Sequence, residues 1–239
     1  MAKPTASGIL AELEPLGSAS YRRTMMKNHG VQEPFFGVKI GDLQKIRKRL
    51  GVDYQLALDL YATGNYDAMY LAGMIADDAR MTRADLQRWA EMAHGGCLPG
   101  TTVPSVAAGS PEGLKLARDW IDGSSPHEAA MGWATVTCHL SVAPDSALDL
   151  AWLESLLDRV EMTIHQESDA VRSQMNAFLI GVGSFVAPLS DRALAVAEKI
   201  GRVTADLGNN QCQVPFAPDY IRKVAAMGRT GKKRKSAKC

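Results

Sequence analysis

The apolar positions of this chain recur with helical spacing and almost never alternate. Leu43, Ile46 and Leu50 fall at i, i+3 and i+7 on one stripe. Leu86, Trp89 and Ala93 share a second, and Leu150, Leu153, Leu157, Val160 and Ile164 keep a third through an acidic segment. No convincing strand or hairpin pattern interrupts them. Turn signals at Gly30, Gly51, Thr63-Gly64-Asn65, Gly95-Gly96, Pro188 and Gly228 cut the pattern into short pieces. Thr82 with Asp85 three residues later reads as a helix start. Ser110-Pro111-Glu112 and Ser125-Pro126-His127-Glu128 each set a hydroxyl, a proline and a carboxylate where a helix opens. Cys97 to Pro104, with Pro99, Gly100 and Pro104, reads as a break in regular structure.

The pattern predicts an all-α protein of about eleven or twelve short helices. Helix pairs at a period of roughly 30 to 45 residues point to a stacked solenoid. The strict repeat is poor, so an irregular helical bundle stays open as the second architecture. Ala72 and Gly73, within the helix read over 66–76, are small enough to let a neighbouring helix approach closely.

The 239 residues are ample for a sizeable core. No apolar run reaches the roughly 20 residues that span a bilayer, and no signal-peptide pattern opens the chain, so an intracellular, cytoplasmic protein is expected, acting as a monomer without a cofactor. The net charge of +1 conceals an asymmetry: six of the 27 basic residues and none of the 26 acidic ones lie in 229–239, which leaves 1–228 at −5. A single domain over 1–228 followed by a flexible basic tail over 229–239 is therefore expected, the tail being suited to nucleic acid or phosphate and equally to solubility. Cys97, Cys138, Cys212 and Cys239 have no CxxC spacing and read as free thiols. Cys138 and His139 diverge by about 100° on a helix and do not share a metal ion easily, so no metal site is expected.

The densest charge before the tail is in Phe35 to Gly51. Behind the stripe of Leu43, Ile46 and Leu50 the helix shows Lys45, Arg47, Lys48 and Arg49, with Asp42 as N-cap or first-turn acid. Such a face is either solvated or a phosphate contact, because clustered Lys and Arg release counterions when they meet nucleic acid. Tyr21, Arg22, Arg23 and Lys27 add a second basic surface.

FGVKIGDLQKIRKRLG followed by YQLALDLYATGNYDAMYLAGMIADD resembles the N-terminal half of the DNA alkylation repair enzyme family, the alkylpurine DNA glycosylases built from HEAT-like repeats. NAFLIGVGSFVAPLSDRALAVAEKIG, QCQVPFAPDYIRKV and the closing GKKRKSAKC are similar to one branch of that family. The resemblance implies a HEAT-like solenoid whose basic concave face cradles duplex DNA, with an aspartate flanked by tryptophans beside the damaged nucleotide. A carboxylate there stabilises oxocarbenium-like charge on the sugar and helps to position water. This chain has CLPGTTVPSVA at that segment, so the aspartate falls at Thr101 and the paired indoles near Pro99 and Gly100. No carboxylate occurs between Glu91 and Glu112. Glu128 is the first replacement candidate, with a capping role as its competing explanation, and Asp122 and Glu167 are weaker ones. Trp133 is the candidate stacking platform, although it, Trp89, Trp120 and Trp152 all sit at core-compatible positions. For DNA contact the first choices are Lys45, Lys48 and Arg49 with Lys232, Lys233, Arg234 and Lys235, then Arg22, Arg23, Lys27 and Lys39. Arg172, Arg222 and Lys223 would continue the strip unless Asp169 and Asp219 neutralise it. The expected function is DNA binding in repair or damage recognition; an active alkylpurine glycosylase and a helical protein-interaction scaffold are the alternatives.

Overall fold

The computed structural model describes residues 3–208 and 213–238, which group into two compact units: 3–113 with 208 and 238, and 114–207 with 213–237. Among the described residues there are thirteen α-helices and no strands. Cys212 and Cys239 lie outside the described residues.

The first unit holds α1 (Ala6–Leu13), α2 (Ala19–His29), α3 (Ile40–Leu50), α4 (Tyr54–Tyr61), α5 (Tyr66–Ile75), α6 (Arg83–Met92) and α7 (Val103–Gly109). Its centre is α5, buried along its whole length and packed against α1, α3, α4 and α7. Asn65 caps α5 by accepting the Ala68 N–H, and the expected box at α6 is complete: Thr82 Oγ1 accepts the Asp85 N–H while Asp85 accepts the Thr82 N–H. The small residue Gly73 does what its size suggests, since a Cβ there would lie 2.3 Å from Thr102 Cγ2. Tyr61 stacks on Trp89 with ring centroids 4.0 Å apart and donates its hydroxyl to the Trp89 carbonyl. That hydroxyl satisfies the polar end of a buried ring whose burial pushes its pKa far up.

Two sequence expectations fail in this unit. Cys97 to Pro104 is not irregular: Leu98–Thr102 forms one π-type turn that leads into α7, with Pro104 in the first helical turn, where a missing N–H costs nothing. Ser110 is not followed directly by a helix: its hydroxyl accepts the Glu112 N–H at 3.2 Å within a turn while donating to the Met81 carbonyl at 2.8 Å, and the next helix begins only at Gly113.

The second unit holds α8 (Gly113–Asp122), α9 (Pro126–Leu140), α10 (Leu150–Thr163), α11 (Asp169–Phe185), α12 (Ser190–Ile200) and α13 (Ala217–Ala226). Here α11 is central and packs against α9, α12 and α13. Its core joins Trp133, Val136, Phe178, Leu179, Val182 and Val196, all at 0% exposure. Ser125 caps α9 as expected, accepting the Glu128 N–H. Among the described residues no single helix is long and apolar enough to cross a membrane.

Candidate nucleic-acid interface

The loop that feeds α3 is organised by one buried carboxylate. Asp67, on α5 and 2% exposed, accepts the N–H groups of Phe36 at 2.7 Å, Gly37 at 3.0 Å and Val38 at 3.1 Å. Gly37 has φ 81°, which a side chain rarely adopts, and it lets Asp67 gather three successive amides. Burial pushes the Asp67 carboxyl above the usual carboxylate range, and the three amides offset this only in part. The outcome is a fixed entry to α3, with Lys39 at its N-cap and Asp42 in its first turn.

The cations of this surface divide by pairing. Lys45 pairs with Asp42 at 2.7 Å, Arg49 with both oxygens of Glu12, and Arg22 with Glu33. Arg22 also lies over the Phe35 ring, 5.5 Å from its centroid. These three expected DNA contacts are therefore partly neutralised within the protein. Arg23, Lys27, Lys39, Arg47 and Lys48 are exposed and have no ion-pair partner among the described residues. Arg47, left out of the expected contact set, lines an open hollow of about 490 Å³ beside Lys48, with Gln44, Gly51, Val52 and Met74.

In the second unit the competing explanation holds for two of the three arginine and lysine positions. Arg172 pairs with Asp169 and donates to the carbonyls of Thr204 and Glu167, and Arg222 pairs with Glu198 and Asp219. Residues 229–238, read from the sequence as a flexible arm, are hydrogen-bonded into the fold. Gly231 N–H donates to Ser184 O and Arg234 N–H to Ser141 O. Lys233 is a correction to the expected contact set: its ammonium meets Leu140 O at 3.1 Å, Phe185 O at 2.6 Å and Asp145 Oδ1 at 2.8 Å. Two hydrogen-bonded carbonyls and an adjacent carboxylate thus hold a half-buried ammonium and neutralise its charge, which makes it a poor phosphate contact. Lys232, Arg234 and Lys235 keep exposed side chains.

The segment that the resemblance matches to the catalytic one has a distinct character. Thr101 sits in the π-type turn and lines a hollow of about 20 Å³ with Tyr70, Gly73, Thr102, Ser105 and Lys238. Lys238 donates to the Ala76 carbonyl at 2.8 Å and lies 2.6 Å from Asp78 Oδ1. Burial raises the Asp78 carboxyl above its ordinary range, against the pull of the Lys238 charge. A lysine thus stands beside Thr101, a feature that sequence distance conceals. Trp133 is also corrected: at 0% exposure, edge-on to Phe178 at 5.1 Å, its indole is a core residue with no face for a base. Trp89 and Trp120 are buried as well, and the half-buried Trp152 is covered by Arg118, 3.9 Å from its ring centroid. Glu128 is half-buried in the first turn of α9, its backbone held by the Ser125 cap. Among the described residues no three of His, Cys, Asp and Glu converge as a metal ligand set.

Among the described residues the two units are all-α and built from short helices, which is the architecture of a helical-repeat protein. Residues 9–205 match the model of the DNA alkylation repair enzyme family, and the chain belongs to that family. The fold is the HEAT-like one: a solved structure described as "a new family of proteins related to the HEAT-like repeat DNA glycosylases with affinity for branched DNA structures" aligns with a TM-score of 0.90 and 33% identity, over 99% of this chain and 100% of that one. Two relatives, the uncharacterized proteins Lin0241 of Listeria innocua and Lmo0209 of Listeria monocytogenes, are each 28% identical over 212 residues, 84% of this chain and 88% of theirs.

Proposed function

We propose that this protein binds DNA in repair or damage recognition, favours branched DNA, and does not excise bases. The observation that carries the reading is the charge around Thr101: where the family resemblance puts an aspartate there is a hydroxyl, and the charged residue lining the small hollow is Lys238, a cation paired with Asp78. An oxocarbenium-like sugar or a cationic alkylpurine is stabilised by a carboxylate and repelled by an ammonium, and this electrostatic contribution is usually the largest in such sites. The Asp78 carboxylate is held by Lys238 and offers no substitute. For binding, Arg23, Lys27, Lys39, Arg47 and Lys48 on the first unit, and Lys232, Arg234 and Lys235 on the second, supply the phosphate contacts. The affinity of the structural relative for branched DNA supports the preferred substrate.

The test is release of radiolabelled methylpurines from alkylated duplex DNA, beside salt titrations of binding to linear and branched DNA. Background release with salt-sensitive binding is expected. Release that disappears in Glu128→Gln would overturn the reading and make Glu128 the carboxylate of a glycosylase. Absence of both release and binding would leave a protein-interaction scaffold.

A further inference from the structure

The second unit contains a cleft that shares only Lys232 with the phosphate contacts named above. It lies between α9, α11 and α13 and has a volume of about 510 Å³, within the range of about 300–1,000 Å³ typical of small-molecule sites. Its walls are apolar, from Ile180, Phe185, Val224, Tyr220 and Met227. Tyr220 is 49% and Met227 56% exposed, large side chains that folding alone leaves in water. Lys223, Arg229 and Lys232 also line the cleft; all three are exposed and none has an ion-pair partner among the described residues. Ser184 lines it too, at 4% exposure, with a hydroxyl that has no hydrogen-bond partner among the described residues. A buried hydroxyl without a partner is rare in a folded protein and marks a place where a ligand atom can complete it.

We propose that this cleft receives one unpaired nucleotide of bound DNA, with the base against Tyr220 and the apolar wall and the flanking phosphates on Lys223, Arg229 and Lys232. The proposal rests on the DNA-binding reading above. Three unpaired cations on one apolar cleft match a flat aromatic group flanked by several anionic charges. A fatty acid carries one charge for a longer apolar tail and would leave two cations unused. A stacked base inside a duplex cannot reach such a cleft, and extrusion is easiest where a base is already unpaired, as at a bulge or branch point. The cleft therefore converts a general attraction for phosphates into a preference for interrupted duplexes. Tyr220 supplies the stacking face, a contact that tolerates any base.

The full-length chain is titrated with a duplex bearing a single bulged 2-aminopurine and with the same duplex fully paired. Binding should change 2-aminopurine fluorescence in the bulged DNA only. Tyr220→Ala, an exposed position whose replacement spares the core, should lower the ratio of bulged to paired affinity by about tenfold, the scale of one lost base–aromatic stack. Ala177→Trp, which fills the cleft from α11, should do the same while paired-duplex affinity stays within about twofold, since the phosphate contacts of linear DNA are untouched. An unchanged ratio in both variants, with wild-type binding to paired duplex intact, would overturn the cleft assignment and leave the DNA-binding reading standing. A protein that binds neither DNA would overturn both. Displacement of the bulged DNA by micromolar dodecanoate, with no effect on paired duplex, would reassign the cleft to an anionic amphiphile.

Discussion

Asp67→Ala should loosen the first unit by several kcal/mol, although residue 67 belongs to no hydrophobic cluster. The carboxylate accepts three amides, those of Phe36, Gly37 and Val38, and Gly37 and Val38 are buried. Each buried donor left without an acceptor costs about 1–3 kcal/mol. Removing a carboxylate from a site that resists its charge returns part of this, which leaves a net loss of about 2–5 kcal/mol out of the roughly 5–15 kcal/mol that a domain has. In urea, with a slope of about 2–3 kcal/mol per molar, the midpoint should fall by about 1–2 M with the slope preserved. The pH dependence has a definite sign. The folded carboxyl is raised above its unfolded value, so its contribution is full below the unfolded pKa and is lost as pH rises through the folded one. Asp67→Asn carries no charge and should lack that loss while keeping one accepting oxygen, so it should be less damaging than alanine at neutral pH. Far-ultraviolet circular dichroism of the three proteins across pH 4 to 8 reads both effects. A midpoint for Asp67→Ala within about 0.3 M of wild type would refute the view that this carboxylate holds the α3 entry.

Arg47→Ala with Lys48→Ala should reduce the slope of log affinity against log salt by about 2, whereas Arg49→Ala should change it far less because Glu12 already neutralises Arg49; fluorescence anisotropy on one duplex at several salt concentrations decides. Trp133→Ala should cost about 3–5 kcal/mol of unfolding free energy, as for other large buried aromatics, and Trp133→Leu should restore part of it together with DNA affinity, an outcome that a stacking platform would not give because leucine has no aromatic face. Burial alone would raise the Asp85 carboxyl, but hydrogen bonds from Thr82 and Tyr54 and the charge of Arg88 outweigh it and the net shift is downward. Its stabilisation is therefore present above the unfolded pKa and lost as pH falls through the folded one, so Asp85→Asn should be less stable than wild type at pH 7 and converge with it near pH 3, as read by thermal melts.

Most of the helices were legible because their signals are local. Thr82 with Asp85, Ser125 with Pro126 and the glycine after His29 each act within one turn, and the structure places a helix boundary at each. Ser110-Pro111 carries the same letters but makes a turn first: the serine hydroxyl accepts the Glu112 N–H and also ties the turn to a carbonyl 29 residues away, and the helix starts only at Gly113. Residues 98–109 were hidden for a related reason: two prolines and a glycine look like a break, yet close packing of Thr102 on Gly73 holds a continuous turn of helix there. At the interface, composition revealed that cations were plentiful but not which ones were available. Arg22 and Arg49 are matched by acids 11 and 37 residues away, and Lys233 by carbonyls 48 and 93 away. The pairs three residues apart, Arg172–Asp169 and Arg222–Asp219, were open to inspection of the sequence, and Lys45–Asp42 has the same spacing. The tryptophans are ambiguous in sequence for a simpler reason, since the same ring fills a core or stacks a base and helical spacing permits both.

The lysine beside Thr101 bears on any substitution made there. An aspartate placed at position 101 would share the lining of its hollow with Lys238, whose ammonium already meets Asp78 at 2.6 Å. Loss of Lys238 alone would free Asp78 and still leave a hydroxyl at position 101. The effect of a substitution at either position therefore depends on the residue at the other. Two positions 137 apart in sequence thus form one electrostatic unit, in which a charge introduced at one is read through the other.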